Sequence, residues 1–330
     1  MPQGYHHLTY EQRCQIYVLL KRGTSKTQIA AEVGVVQSTV SREIWRNKGK
    51  RGYRYKQAQR KCEIRRKKAS SQKRKMTPEV TLYVDQKLRD KQWSPEQIAG
   101  RLKVVSGKSL SHESIYRYVW KNKREGGILY QNLRHNGKKY NKRRNITSGR
   151  GLIPGRIGIE QRPAIVETKE RVGDFEMDTI IGSKHRGAIV SLVDRKTKIT
   201  RLALLARPIA QETSQAVVRS LYPLRSHVHT LTADNGKEFA QHAFMARALE
   251  AKVFFANPYH AWERGLNENT NGLVRQYFPK KCDFTKLTHE QVQTVEYLLN
   301  TRPRKALNYQ TPHEIFLQIT GMNLDYALRC

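Results

Sequence analysis

Residues 174–256 constrain the fold of this chain more than any other stretch, because their hydrophobic pattern allows few arrangements. Three short β-rich runs, separated by turn or charged residues, come first: GDFEMDTIIG, GAIVSLVDR and ITRLALLA. Such closely spaced runs predict an antiparallel meander. A polar helical segment (211–225), a fourth strand (HVHTLTADNG), a helix (KEFAQHAFMARALEA) and a fifth strand (KVFFANP) follow. Three strands and then strand–helix–strand alternation predict a mixed α/β sheet with helices on its faces.

Acidic residues at the ends of this sheet point to its chemistry. With two further helices, NENTNGLVRQYF and THEQVQTVEYLLN, the pattern fits an RNase H-like domain, which we place at residues 161–330. Asp178 lies on the first strand, Asp234 ends the fourth strand before an Asn-Gly turn, and Glu268 follows after 33 residues (235–267). Carboxylates that converge from two strands and a helix can hold two hard divalent cations about 4 Å apart. Mg²⁺ suits such all-oxygen sites because it also accepts substrate phosphate oxygens.

Neighbouring acids are rivals for these roles. Asp174 and Glu176 share a strand face with Asp178, since alternate residues of a strand point the same way. Glu176 is interpreted either as a support for the site or as an accidental neighbour. The other candidates are interpreted as turn, helix-start or packing residues, although the last two would also suit a DNA path: Asp194, Glu238, Glu263, His260 and Trp262.

The first 50 residues predict a helix-turn-helix domain. LTYEQRCQIYVLLKRG has apolar residues at helical spacing and ends on Gly23. Ser25 opens an S-x-x-Q capping box before the second helix. A third helix, QSTVSREIWRN, follows, and an ordinary three-helix bundle is the alternative interpretation. Its outward side chains are hydrogen-bonding types suited to base edges and phosphates: Gln37, Ser38, Thr39, Ser41, Arg42 and Arg46.

A second, weaker copy of this module is predicted at residues 79–125. WSPEQIAGRL has Ser94 as N-cap, with a proline at the first helical position and a glutamine that closes the box. A later helix, SHESIYRYVWKNK, carries Arg117 and Lys121 as candidate DNA contacts. Its turn is longer than in the first module, so base recognition is less strongly indicated here.

Basic segments join these modules. Residues 51–78 form a connector for which phosphate contact and a solvated helix face stay open, and residues 126–160 are interpreted as a linker that orders on DNA. The chain has 62 Lys and Arg against 28 Asp and Glu, a net charge of +34, and residues 1–150 hold 37 of the basic and 10 of the acidic residues. This imbalance predicts a polyanionic partner, because each neutralised phosphate releases counterions. A ribosomal-type RNA binder and a merely solvated surface are the alternatives.

Two basic sites lie in the second half. Arg275 comes seven residues after Glu268, two helical turns along the same face, where it can reach a DNA phosphate. The closing segment NTRPRKALNYQTPHEIF carries Arg302, Arg304 and Lys305. These three residues either bind flanking or target DNA or mark the end of one helix and the start of another.

Cysteine usage and hydropathy bear on the compartment. There is no CxxC pair and no histidine at zinc spacing, which predicts free thiols in a reducing compartment. The sequence has neither an apolar signal core nor a stretch long enough for a membrane span. We therefore expect a cytoplasmic, nucleoid-associated protein. Its cysteines are Cys14, Cys62, Cys282 and Cys330.

Taken in order, these motifs resemble the bacterial insertion-sequence transposases of the DDE superfamily, specifically the family named after insertion sequence thirty. The similar stretches span nearly the whole chain and include STVSREIWRN, WSPEQIAGRL, GDFEMDTIIG, TADNGKEF, ERGLNENTNGLVRQYFPK and LNTRPRKALNYQTPHEIF. The resemblance implies that Asp178, Asp234 and Glu268 are the catalytic triad and that Arg275 is the basic residue of the E-x6-K/R signature. The chain departs from the family at Phe175, where members usually have Trp.

The resemblance also implies an activity. The helix-turn-helix modules would bind terminal inverted repeats, and a homodimer or larger oligomer would join two ends and target DNA. Two Mg²⁺ ions, with Mn²⁺ as an alternative, would support attack of water at the transposon end and then attack of the 3′ hydroxyl on another phosphodiester. A non-catalytic repressor and an RNase H-type nuclease are the rival classes. The intact triad argues against the first, and the duplicated DNA-binding modules argue against the second.

Overall fold

The computed structural model describes residues 7–72, 75–134, 153–257 and 265–323. The chain forms two compact units, Met1–Thr77 and Pro78–Cys330. Much of the predicted basic linker lies outside the described residues, as do His260, Trp262, Glu263 and Cys330. The finer division into five segments stays a prediction.

The first unit is entirely helical in its described part. Ser25 forms the predicted capping box with Gln28, and Gly34 ends the second helix in the left-handed conformation with a φ of 71°. Thr9 and Gln12 form a second box at the start of the first helix. The four helices are α1 (Tyr10–Lys21), α2 (Lys26–Val33), α3 (Gln37–Asn47) and α4 (Tyr55–Gln72).

A buried ion pair fixes α3 against α1. Arg13 Nε donates to Glu43 Oε1 over 2.8 Å, and both side chains are almost fully buried. The Tyr53 hydroxyl donates to the same carboxylate oxygen at 3.2 Å. These contacts satisfy charges that would otherwise be costly to bury. Helix α4 starts inside the predicted connector and packs on α1 through the fully buried Ala58, so part of that segment is folded.

The second unit combines helices with a five-stranded sheet of order β3-β2-β1-β4-β5. The pairs β1–β2 and β2–β3 are antiparallel, whereas β1–β4 and β4–β5 are parallel. This order confirms the predicted meander and the mixed sheet of an RNase H-like domain. The strands are β1 (Asp174–Ile181), β2 (Ala188–Asp194), β3 (Thr200–Leu205), β4 (Thr230–Ala233) and β5 (Lys252–Phe255). The helices are α5 (Pro78–Arg89), α6 (Pro95–Ser106), α7 (His112–Arg124), α8 (Ile165–Thr168), α9 (Ala210–Leu221), α10 (His242–Leu249), α11 (Gly265–Tyr277), α12 (His289–Asn300) and α13 (Pro312–Thr320).

Helices cover both faces of the sheet. On β1, Phe175 and Met177 pack with apolar residues of α9 and α10, and Phe175 is 1% exposed where the family usually has Trp. Ile180 points the other way and packs with residues of α11 and α12. Because side chains alternate along a strand, Glu176 and Asp178 lie on the face covered by α11.

Arg302 joins the helices before the sheet to the sheet domain. The residue is 1% exposed, and its Nη2 donates to the carbonyl oxygen of Gln92 at 2.6 Å and to the Tyr277 hydroxyl at 3.0 Å. Its Nη1 donates to Gln276 Oε1 at 3.1 Å. The guanidinium therefore connects the segment between α5 and α6 to α11. Neither interpretation of Arg302 included this packing contact between segments, and a DNA contact through Arg302 stays a prediction.

Further contacts hold α6 in the same place. Arg101 forms an ion pair with Glu314 of α13, and its Nη1 lies 2.9 Å from Glu314 Oε2. The ring of Tyr309 packs directly on Gly100, where a Cβ would lie 2.2 Å from Tyr309 Cδ1. Glycine at this position is what allows the close approach. In the described part of the chain, no helix is both long and apolar enough to cross a membrane.

Candidate active site

Asp178 is held in a fixed orientation on β1. Its Oδ1 accepts the backbone N–H of Thr179 at 3.0 Å, and its Oδ2 accepts from Asn271 Nδ2 of α11 at 2.7 Å. The Ser191 hydroxyl of β2 donates to Asn271 Oδ1 at 2.8 Å. The amide of Asn271 therefore links α11 to two neighbouring strands through the predicted catalytic carboxylate.

Asp234 directly follows β4, the parallel neighbour of β1. The register of these two strands ends with the pair Glu176 and Thr232, so Asp178 and Asp234 each stand two residues beyond the last paired position. Adjacent strands are about 4.8 Å apart, so we expect the two aspartates to lie near one another. Asp234 Oδ1 accepts the backbone N–H of Gly236 at 2.9 Å, which closes the turn predicted from the Asn-Gly pair.

Hydrogen bonds connect the turn after Asp234 to the end of β5. Asn235 is buried, and its Nδ2 donates to the carbonyl oxygen of Ala256 at 2.7 Å. Arg156 donates to the Asn235 side-chain oxygen. This connection fixes the direction in which Asp234 leaves the sheet.

Glu268 occupies the first turn of α11 and is exposed. Within the described ranges, no three His, Cys, Asp or Glu side chains lie close enough together to hold a metal ion. The structure thus places Asp178 and Asp234 at corresponding positions of two adjacent strands or their ends, but it does not gather Asp178, Asp234 and Glu268 into one metal-binding group. Asn271, which contacts Asp178, follows Glu268 by three residues on the same helix. One helical turn is about 5.4 Å, so Glu268 starts close to the pair of aspartates.

Glu176 holds the start of α11 from beneath. It is 2% exposed, its Oε1 lies 3.0 Å from Arg195 Nη1, and its Oε2 accepts the backbone N–H of Asn267 at 3.1 Å. Glu176 therefore supports the helix that carries Glu268, which was one of its two interpretations. Arg195 could not be identified as the partner from sequence alone, because the contact depends on how β2, which ends at Asp194, pairs with β1.

The other acids of the sheet have structural partners. Asp194 is fully buried and accepts from the backbone N–H groups of Gly173 at 2.7 Å and Thr197 at 2.6 Å, which confirms its interpretation as a turn residue. Burial raises its pKa, and the hydrogen bonds from Thr197 act in the opposite direction. Asp174 is paired with Arg171 at 2.7 Å.

Glu238 lies closer to the site than its sequence position suggested. It belongs to a short helical turn after Asp234, and its Oε1 accepts the hydroxyl of Thr179 at 2.6 Å. Thr179 follows Asp178 on β1. The interpretation as a helix-start acid holds, with an added contact to the strand that bears the first aspartate.

Arg275 is largely occupied by contacts within the protein. Its Nη2 donates to the carbonyl oxygen of Ile181 at 2.6 Å, and its guanidinium carbon lies 5.4 Å from the centre of the Phe284 ring. Burial lowers its pKa. Its Nη1 is buried and has no hydrogen-bond partner among the described residues. A phosphate contact through Arg275 stays a prediction.

The candidate DNA contacts on α3 and α7 point outward. On α3, four of the six are exposed, while Thr39 and Ser41 are partly buried. Arg42 Nε donates to the Ser38 carbonyl oxygen within the helix at 3.2 Å. Trp45 is 72% exposed on this helix and was not singled out from the sequence. On α7 the exposed candidates are Arg117 and Lys121.

One family model and one solved structure are similar to parts of this chain. Residues 4–47, which contain α1 and α2 and α3, match the family model described as a helix-turn-helix domain. The catalytic core domain of BIV integrase, solved in crystal form I, covers 44% of this chain and 93% of its own, at 19% identity and a TM-score of 0.35. The assignment of the RNase H-like fold rests on the strand order described above.

Two curated relatives match along nearly the whole chain. The transposase for insertion sequence element IS4351 of Bacteroides fragilis is 48% identical over 319 residues, which are 96% of this chain and 97% of the relative. The transposase InsI for insertion sequence element IS30A of Escherichia coli K12 is 34% identical over 319 residues, 94% of this chain and 83% of the relative. Identity at this level over both proteins shows that the chain belongs to the IS30 family of insertion-sequence transposases.

Proposed function

We propose that the protein binds the terminal inverted repeats of its insertion sequence and catalyses Mg²⁺-dependent 3′-end cleavage and strand transfer. The observation that carries the proposal is the β1–β4 register, which puts Asp178 and Asp234 each two residues beyond the pair Glu176 and Thr232. Helix α11, which bears Glu268, is tied to Asp178 through Asn271. A non-catalytic repressor would not need carboxylates that are positioned in this way.

The donor set fits a hard cation. Carboxylate oxygens are the protein ligands that Mg²⁺ takes, and metal-binding carboxylates are themselves oriented by hydrogen bonds, as Asn271 orients Asp178. Glu268 completes the set when its side chain turns toward the sheet edge, about one helical turn from Asn271. We assign these three residues as ligands of two Mg²⁺ ions, with Mn²⁺ as an alternative. When bound, the ions supply an activated water or hydroxyl and stabilise the leaving 3′ oxygen.

The remaining residues bind and orient DNA. Helix α3 would enter the major groove, and α7 would contact phosphates through Arg117 and Lys121. Arg275 would hold the end of β1 and reach a phosphate beside the aspartates. Two transposon ends have to meet, so a homodimer or larger oligomer on DNA is part of the proposal, as is a cytoplasmic, nucleoid-associated location. The α3 contacts are Gln37, Ser38, Thr39, Ser41, Arg42 and Arg46.

Incubation with DNA that contains the ends of the insertion sequence tests this function. We expect nicking at the 3′ end of the element with Mg²⁺, none with EDTA, and joined products at longer times. Specific binding without Mg²⁺-dependent nicking would identify a repressor instead. Equal cutting of any RNA–DNA hybrid would identify an RNase H-type nuclease.

The contribution of α3 is tested by Arg42→Gln. Loss of one base or phosphate contact costs about 1–3 kcal/mol of binding free energy, so we expect the Kd for end DNA to rise about fivefold or more. Arg219→Gln is the matched control, because Arg219 is exposed on α9, on the sheet face opposite α11. Equal Kd values for the two variants would exclude Arg42 from the DNA contact.

Asn271→Ala tests the positioning of Asp178. Removing a hydrogen bond that orients a metal-binding group costs roughly 10–100-fold in metal affinity or activity. We therefore expect slower cleavage and a higher Mg²⁺ concentration for half-maximal rate, with DNA binding unchanged. Ser191→Ala removes the hydrogen bond to Asn271 and a long one of 3.4 Å to the Asp178 carbonyl oxygen, and leaves the bond from Asn271 to Asp178 in place, so it should have a smaller effect of the same kind. An unchanged Mg²⁺ requirement in Asn271→Ala would show that the amide does not position Asp178.

A further inference from the structure

A cavity of about 350 Å³ lies between the start of α6, one face of α11 and the segment 302–306. The wall from α11 includes Leu266, Asn269 and Leu273. Asn269 directly follows Glu268, so the cavity opens beside the turn that carries this proposed metal ligand. The cavity is of the size that ligand sites in proteins have.

Basic side chains dominate the wall. Five cationic residues line the cavity, and Glu96 is the one carboxylate among the lining residues. Glu96 is already paired with Lys305 at 2.7 Å. For Arg134, Arg302 and Arg304, no ion pair with a carboxylate exists in the part of the chain that the structure describes. The cationic residues are Arg134, Lys198, Arg302, Arg304 and Lys305.

Arg134 is held against α11. Its Nη1 donates to Asn269 Oδ1 at 3.3 Å. A Cβ at Gly272 would lie 2.4 Å from Arg134 Nη2, so the missing side chain at 272 is what lets the guanidinium lie on the helix. The guanidinium thus reaches the cavity wall next to Asn269.

Arg304 lines the same cavity as Arg134. Its Nη2 makes a long hydrogen bond of 3.3 Å to the Leu299 carbonyl oxygen, and its Nε is buried without a partner among the described residues. Burial, followed by repulsion from Arg302 and Arg134, lowers the pKa of Arg304 to about 9. The group is still a cation at neutral pH, so like charges are concentrated here without a compensating acid. An anion in the cavity would relieve this repulsion.

We propose that this cavity binds a phosphodiester group of the DNA strand that runs past Glu268, with Arg134 and Arg304 as its ligands. The inference rests on the proposed function for the identity of the substrate. Guanidinium groups suit a phosphate because their paired N–H donors match its oxygens. Arg302 supplies charge at the back of the cavity while its own donors hold the neighbouring segments.

Salt dependence of DNA binding tests the proposal with the full-length protein. The affinity for a random-sequence duplex is measured in EDTA over a range of salt concentrations, for wild type and for Arg134→Gln/Arg304→Gln. Loss of one phosphate contact lowers the slope of log K against log salt by about 0.9. We expect that decrease in the double variant and most of the wild-type slope in Arg134→Lys/Arg304→Lys. Arg225→Gln is the control, because Arg225 follows Leu224, which packs on the sheet face opposite α11, and is paired with Glu250.

Three outcomes separate the alternatives. A wild-type slope in the glutamine variant overturns the proposal. If the double variant has a clearly lower melting temperature than wild type, the salt dependence is measured instead with the single variant Arg134→Gln, because Arg134 is exposed. If inorganic phosphate raises the melting temperature of wild type but not of the variant, and the DNA slope is unchanged, the cavity binds a free anion and the DNA assignment is overturned. If the slope falls as expected but wild type does not nick end DNA with Mg²⁺, the cavity proposal stands and the proposed function fails.

Discussion

Asp234→Asn should lose cleavage of transposon-end DNA by at least about a thousandfold while its affinity for that DNA stays within about twofold of wild type. A metal-binding carboxylate supports several kcal/mol of transition-state stabilisation, and each 1.4 kcal/mol is about tenfold in rate. The amide of Asn can still accept the N–H of Gly236, so the turn after β4 should keep its shape. Cleavage is measured on end-labelled DNA with Mg²⁺, and binding is measured in EDTA.

Controls separate loss of chemistry from loss of fold. Asp178→Asn should behave like Asp234→Asn, and Glu268→Gln tests whether the third carboxylate is needed. Asp90→Asn is the matched control, because Asp90 is exposed at the end of α5 and the substitution should leave cleavage unchanged. Persistent cleavage by Asp234→Asn would remove this residue from the catalytic set and with it the proposed mechanism.

Arg195→Met should lower the free energy of unfolding by about 3–5 kcal/mol, the typical cost of leaving one member of a buried ion pair without its partner. Arg195 and Glu176 are 4% and 3% exposed as side chains and lie 3.0 Å apart. Arg195 also orients the Glu176 carboxylate that accepts the N–H of Asn267. Without Arg195, the start of α11 should be held less firmly. The cleavage rate of Arg195→Met should therefore be lower than that of wild type even at temperatures at which the variant is fully folded.

A double variant isolates the buried charge as the cause. Arg195→Met/Glu176→Gln also removes the negative charge that Arg195 balances, while the amide oxygen of Gln can still accept from Asn267. We expect it to be more stable than Arg195→Met. As a surface control, Arg225→Met breaks an exposed pair with Glu250 and should cost no more than about 1 kcal/mol. Denaturant unfolding measures all three, and equal losses for Arg195→Met and Arg225→Met would contradict a special role for the buried pair.

Local patterns in the sequence predict most of the secondary structure. Short β-rich runs indicated all five strands, and the capping signals at Ser25, Ser94 and Thr311 mark true helix starts. The positions of Asp178 within β1 and of Asp234 just after β4 also follow from local information, since the pattern identifies both strands. Strand patterns and helix caps depend only on residues that are close together in the chain, so they can be predicted from one sequence.

Contacts between distant residues could not be predicted in this way. Arg302 suggested a DNA contact by its basic neighbours, yet it donates to a carbonyl oxygen 210 residues away. Asn271 stands three residues after Glu268, a spacing that places it on the same helix face, but only the packing of α11 on β1 shows that it reaches Asp178. The position of Glu268 itself depends on how α11 packs against the sheet. The hydrophobic pattern of the strands contains no information about that packing.

The attachment of α5, α6 and α7 to the sheet domain has a consequence for where a transposon end is cut. Arg302 and Arg101 keep these helices and the two aspartates in one compact unit. If α7 grips DNA phosphates, the number of base pairs between that grip and the scissile bond is set by the dimensions of the protein. Base changes in the interval would leave the cut where it is, whereas gain or loss of a base pair would move it.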